Sequence, residues 1–193
     1  MIQFEAQIKE RFASYSNPNA KVKAEVDAGR LFRLKKGVYS DSKDEHPFIC
    51  ANALIRPSYV SFLSALAYHG LIPEAVYATM SATSSTKKTK TFSNSLGRFL
   101  YFDVPSAAFP FGIMTASQGF QIATPEKAIA DILYFSKPVR SVKGLKALLF
   151  EDLRIDEDLL KNLNRESLMR ILPLYRSVNA NLMMKLLEAW HGK

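Results

Sequence analysis

The hydrophobic period of this chain changes twice, and that succession limits its fold more than any other feature. Apolar residues recur at helical spacing up to Gly29, alternate in short runs between Leu31 and Ala123, and return to helical spacing from Thr124 onward. The middle stretch is broken by a helical pattern at residues 59–69. Helices, then strands, then helices are the order of an α+β protein, whereas a doubly wound parallel sheet needs strict alternation of the two. The expected architecture is α+β: a small N-terminal helix–hairpin domain over residues 1–45, then a mixed α/β domain over 46–193. The second divides into a sheet-containing core at 46–136 and a helical tail at 137–193.

The local signals place the elements. Phe4, Ile8 and Phe12 lie four apart, so Phe4–Tyr15 reads as an amphipathic helix. Asn17 and Pro18 supply a cap and a first helical residue, and Gly29 stops that second helix. Leu31–Lys35, a Lys36-Gly37 turn and Val38–Ser40 read as a hairpin, and the polar run Asp41–Glu45 as a linker. Further on, Ile49–Leu54 reads as a short buried helix. Ser58 reads as the cap of a helix over Tyr59–His69, with Val60, Leu63, Leu66 and Ala67 as its apolar stripe. Strands are expected at Val76–Thr83, Phe99–Val104 and Gly119–Ala123. Thr124-Pro125-Glu126 opens a helix in which Ile129, Ile132 and Leu133 face inward and Lys127 can pair with Asp131. After Pro138, helices are expected at 142–150, 157–163, 165–172 and 177–190.

The 193 residues are 48% hydrophobic and 23% charged, which is globular composition, and a single cysteine, Cys50, excludes an internal disulfide framework. No run of 18 apolar residues exists and Glu5 interrupts the N-terminus, so neither a membrane span nor a signal peptide is expected. A cytoplasmic protein is expected. The net charge of +8 favours an anionic partner. Residues 1–45 carry +2, 46–102 +4, 103–150 +2 and 151–193 none. Two clusters hold the excess. Lys21, Lys23, Arg30, Arg33, Lys35 and Lys36 surround the second helix and the hairpin; Lys87, Lys88, Lys90 and Arg98 lie where no acid occurs between Glu74 and Asp103.

The helix–helix–hairpin order matches the back half of a winged helix, in which the helix before the hairpin enters the major groove and the hairpin flanks it. The first cluster would then contact phosphates. An ordinary helix and hairpin with solvated charges competes with that reading, and Glu25 and Asp27 would repel phosphates if they faced the groove. The second cluster reads as a further basic surface for phosphate or an acidic partner, or as a solvated loop tip.

Catalytic patterns are sparse. His46, His69 and His191 lack zinc-site spacing, Ser58, Ser61 and Ser64 sit in no nucleophile elbow, and no phosphate-binding glycine motif occurs. No cofactor is expected. Asp103, Glu126 and Lys127 are the residues a metal-dependent nuclease would use, although Glu126 and Lys127 are adjacent where such sites place a spacer.

Several blocks resemble the AbiEi family of bacterial antitoxins from toxin–antitoxin (abortive infection) systems of phage defence. They are Leu34-Lys35-Lys36-Gly37-Val38-Tyr39, Ala51-Asn52-Ala53-Leu54, Pro57–Leu66 with His69-Gly70-Leu71-Ile72-Pro73-Glu74, Gly97–Phe102, and Ala123–Asp131. The resemblance covers residues 30–136. It implies a non-catalytic protein with an N-terminal winged-helix domain that binds promoter DNA and represses its own transcription. It further implies a C-terminal domain, here 46–193, that neutralises a cognate nucleotidyltransferase-like toxin. Against the fuller family pattern this chain is shorter by one helix at its start. A protein-interaction module with degenerate DNA binding is the alternative reading.

Overall fold

Alternating side chains and short turns build two sheets, and the helices on either side complete an α+β fold in this computed structural model. It describes residues 1–84 and 88–191, the last by its backbone alone. The N-terminal unit runs β1 (Ile2–Phe4), α1 (Glu5–Arg11), α2 (Pro18–Asp27), β2 (Phe32–Lys35) and β3 (Val38–Ser40). Its three strands lie in the order β1-β3-β2, all antiparallel, with Phe4 opposite Val38 and Arg33 opposite Tyr39. The first residues thus form a strand and not the opening turn of a helix: pairing of Ile2–Phe4 with β3 outweighs the helical spacing of Phe4, Ile8 and Phe12.

Then follow α3 (Pro47–Leu54), β4 (Tyr59–Val60), α4 (Phe62–Tyr68), β5 (Thr79–Thr83), β6 (Lys90–Asn94), β7 (Gly97–Asp103), β8 (Ile113–Thr115), β9 (Gln121–Ala123) and α5 (Pro125–Phe135). Among the described residues the second sheet has the order β6-β7-β5-β4-β9-β8, with β5–β7 and β4–β9 parallel and the other pairs antiparallel. Alternation along β7 sends Tyr101 to one face, where its hydroxyl donates to Ala51 O of α3 at 2.6 Å, and Phe102 to the other, against Phe62 of α4 and Phe135 of α5. The tail adds α6 (Val142–Ala147), a π-helical turn (Leu148–Asp152), α7 (Glu157–Lys161), α8 (Arg165–Ile171), a 3-10 turn (Leu172–Tyr175) and α9 (Val178–His191).

Several boundaries differ from expectation. Tyr59 and Val60 are a strand between β5 and β9, so Ser61 precedes the helix while Ser58 donates its hydroxyl to Ile55 O. Leu66 is therefore wholly buried but Leu63 only half so. Lys90–Asn94, for which no strand is expected from the sequence, is an edge strand whose Phe92 packs against the core. One core cluster takes Leu34 and Val38 of the hairpin together with α3, the six strands and the tail; a smaller one joins Ile8, Phe12 and Leu31 to Val22, Val26 and Tyr39. The hairpin is thus apolar on both faces and is packed between α1–α2 and the larger sheet. Among the described residues no helix is long and apolar enough to cross a membrane.

Candidate nucleic-acid interface

Helix α2 starts where the sequence caps it: the Asn17 side chain accepts the N–H of Ala20 at 3.0 Å, and Pro18 occupies the first turn. Val22 and Val26 turn toward Ile8 and Tyr39, which leaves Asn19, Ala20, Lys23, Ala24 and Asp27 as the exposed stripe. Two alanines on that stripe let another surface come close to the helix backbone. Asn19 was not among the charged candidates; its position four residues before Lys23 is the signal that places both on one face.

Glu25 does not join that stripe. It is 8% exposed, receives Arg30 Nε at 2.7 Å, Arg30 Nη2 at 3.0 Å and Lys21 Nζ at 2.8 Å, and its backbone oxygen accepts the N–H groups of Arg30 and Leu31. The Arg30 and Lys21 hydrogen bonds hold its carboxyl down at about 2. This clamp ties the C-terminal turn of α2 to the start of the hairpin, and it engages two of the six candidate cations of this unit. Lys35 is also engaged: its ammonium donates to Leu54 O at the end of α3.

Lys23, Arg33 and Lys36 remain exposed. Gly37 turns the hairpin at φ +77, a conformation that favours glycine, and a Cβ there would meet the Glu5 carboxylate at 3.0 Å. Between α1, α2 and the hairpin runs a groove whose two hollows, about 310 and 380 Å³, share Asn19, Val22, Arg33 and Tyr39. Lys9 and Lys36 stand at one end of it and Lys23 at the other.

The second basic cluster is divided. Lys90 follows the alternation of Phe92 and Asn94 onto one face of the sheet, whereas Arg98, opposite Ser93, takes the other. Lys88, Lys90 and Arg98 are exposed; Lys87 lies outside the described residues. Asn94 donates to Leu34 O at 3.1 Å, so the β6–β7 hairpin abuts β2.

Of the three residues a nuclease would use, Glu126 and Lys127 are held in the protein's own hydrogen-bond network. Lys127 is fully enclosed; its ammonium donates to Ala108 O at 2.7 Å and to the Tyr175 hydroxyl, and lies 3.4 Å from Asp131. Asp131, equally buried, also accepts the hydroxyls of Ser61 at 2.6 Å, Tyr59 at 3.0 Å and Tyr175. Burial pushes the Asp131 carboxyl up and the Lys127 ammonium down. Glu126 accepts the N–H of Asn164 at 3.0 Å. Lys127 therefore cannot reach a phosphate in solution. His46 caps α3 and stacks on Phe120, and His69 Nε2 lies 2.8 Å from Ala123 O.

No family model matches the chain, and neither does any curated protein.

Proposed function

We propose that the chain is a non-catalytic, AbiEi-like antitoxin that binds its own promoter DNA through the N-terminal unit and counteracts a nucleotidyltransferase-like toxin through residues 46–193. One observation carries the DNA half. The unit runs strand, helix, helix, hairpin with its sheet in the order β1-β3-β2, an order that supports the winged-helix reading. In such a domain α2 enters the major groove and the Lys36-Gly37 turn follows the backbone. The exposed stripe of α2 fits that task chemically. Asn19 has the paired donor and acceptor that read adenine, Lys23 the donor that reads guanine, and the alanines between them permit close approach. Arg33 and Lys36 take phosphates. With Glu25 turned inward and held by two cations, Asp27 is the one acid left on that stripe. The toxin half rests on the resemblance of residues 30–136.

A promoter–reporter fusion, assayed beside induction of the neighbouring nucleotidyltransferase gene, tests both halves. Wild-type protein represses the reporter and restores growth. The Arg33→Glu/Lys36→Glu variant loses repression and keeps rescue. Unchanged repression by the variant removes the DNA reading, and failure of the wild type to rescue growth removes the toxin reading.

A further inference from the structure

Far along the chain from the basic hairpin, the segment after α4 and the π-helical turn of the tail enclose an apolar hollow of about 330 Å³. Leu63, Ile72, Val76 and Leu153 form its walls, and Glu74 and Asp152 contribute the only formal charges among its lining residues. In a protein of net charge +8 this is a locally acidic rim. Arg154 answers it in part, with Nη1 2.6 Å from Glu74 Oε1. The other Glu74 oxygen, Oε2, is shielded from solvent and has no hydrogen-bond donor. Buried polar atoms without partners are rare in native proteins, and each calls for a cause.

Three further features meet at this place. Tyr77 is 98% exposed although it lines the hollow, and an aromatic ring held out in water is the side chain most enriched at the centre of binding surfaces. Residues 148–152 form a π-helical turn, a geometry that recurs at functional sites. Arg154 holds φ +52, uncommon for a residue with a side chain, while Asp156 N–H donates to Leu71 O at 2.9 Å and pins the segment beside the hollow.

We propose that this hollow is a protein-docking surface whose occupant is a partner segment with a large apolar side chain flanked, within a helical turn, by lysine or arginine. The apolar side chain fills the space between Leu63, Val76 and Leu153, Tyr77 closes over it, and the cation joins Glu74 and Asp152. A second copy of this chain suits the site poorly: a two-fold contact would set the acidic rim against itself. The proposal extends beyond the DNA reading and is independent of it, because α2 and the β2–β3 hairpin contribute nothing to the hollow.

The test titrates a 14-residue amphipathic helical peptide of leucine, alanine and lysine into the isotopically labelled full-length chain, followed by amide chemical shifts. Expected shifts centre on residues 63, 72, 74–77 and 152–153. Tyr77→Ala, a substitution at an exposed side chain, weakens binding at least tenfold, Glu74→Lys abolishes it, and the same peptide with glutamate for lysine produces no response. Shifts located elsewhere, equal binding of the glutamate peptide, or affinity within twofold in Tyr77→Ala would overturn the proposal. So would self-association of the wild-type chain in sedimentation that Tyr77→Ala abolishes, since the face would then belong to a second copy.

Discussion

Replacing Lys127 by methionine keeps most of the side-chain volume while removing the cation that faces Asp131. Both residues are fully enclosed, and the carboxylate would be left with the hydroxyls of Tyr59, Ser61 and Tyr175. Removing one partner of a buried pair costs about 3–5 kcal/mol; three remaining donors place this case near the lower figure. Against a total stability of about 5–15 kcal/mol, a loss of about 3 kcal/mol is large but survivable. With a urea slope of about 2–3 kcal/mol per molar, the midpoint falls by roughly 1–1.5 M at pH 7. The pH dependence is the sharper signature. Burial already raises the Asp131 carboxyl above its usual range, and losing Lys127 raises it further. A group whose pKa is higher in the folded state adds stability below its unfolded value and loses it as pH rises through the folded one. The variant therefore recovers on acidification, by up to about 1.4 kcal/mol per pH unit, as a proton takes the place of the ammonium. Urea titrations at pH 7 and pH 5 should show a smaller deficit of Lys127→Met at pH 5 than at pH 7. A deficit equal at both values, or below about 1 kcal/mol at pH 7, refutes the account of this network.

Other outcomes follow from the same structure. Glu25 is held at about 2, so the clamp on Arg30 and Lys21 is intact above the usual glutamate range near 4.5 and is lost as pH falls toward 2; the Arg30 side-chain resonances should report that transition, and its persistence in Glu25→Gln contradicts the assignment. Leu66→Ala, at a wholly buried position, costs about 2–5 kcal/mol in chemical denaturation, and Leu63→Ala costs less because that residue is half exposed. Cys50 is fully enclosed and burial pushes its thiol up to about 12, so a thiol reagent should leave the folded protein unmodified and react on unfolding; rapid native labelling would show that α3 is not packed as described.

What was legible in the sequence followed strong local chemistry. Pro18 after Asn17 and Pro125 after Thr124 mark two helix starts, and both caps form as the residues imply. The Lys36-Gly37 turn and the i, i+4 spacing of Lys127 and Asp131 were equally plain. The burial of that pair was not, because partners such as Tyr59 and Tyr175 lie 72 and 44 residues from Asp131. Strands of two or three residues were missed at β1, β4 and β8, since alternation cannot show over so short a run. At β4 the spacing of Val60, Leu63 and Leu66 even imitates a helix; pairing with Ala82, Ser81 and Ile122 decides otherwise. In the candidate interface the sequence displayed the cations but not their engagements. Glu25 claims Lys21 and Arg30, Leu54 O claims Lys35, and the exposed stripe of Asn19 and Lys23 emerges once the buried face of α2 is known.

The proposal that the N-terminal unit reads DNA is tested most directly by fluorescence-anisotropy titration of the full chain against its own upstream DNA and a scrambled duplex at several salt concentrations. A preference of about a thousandfold or more for the native sequence, with affinity falling as salt rises, is the predicted result. Equal, weak binding to both duplexes would contradict it.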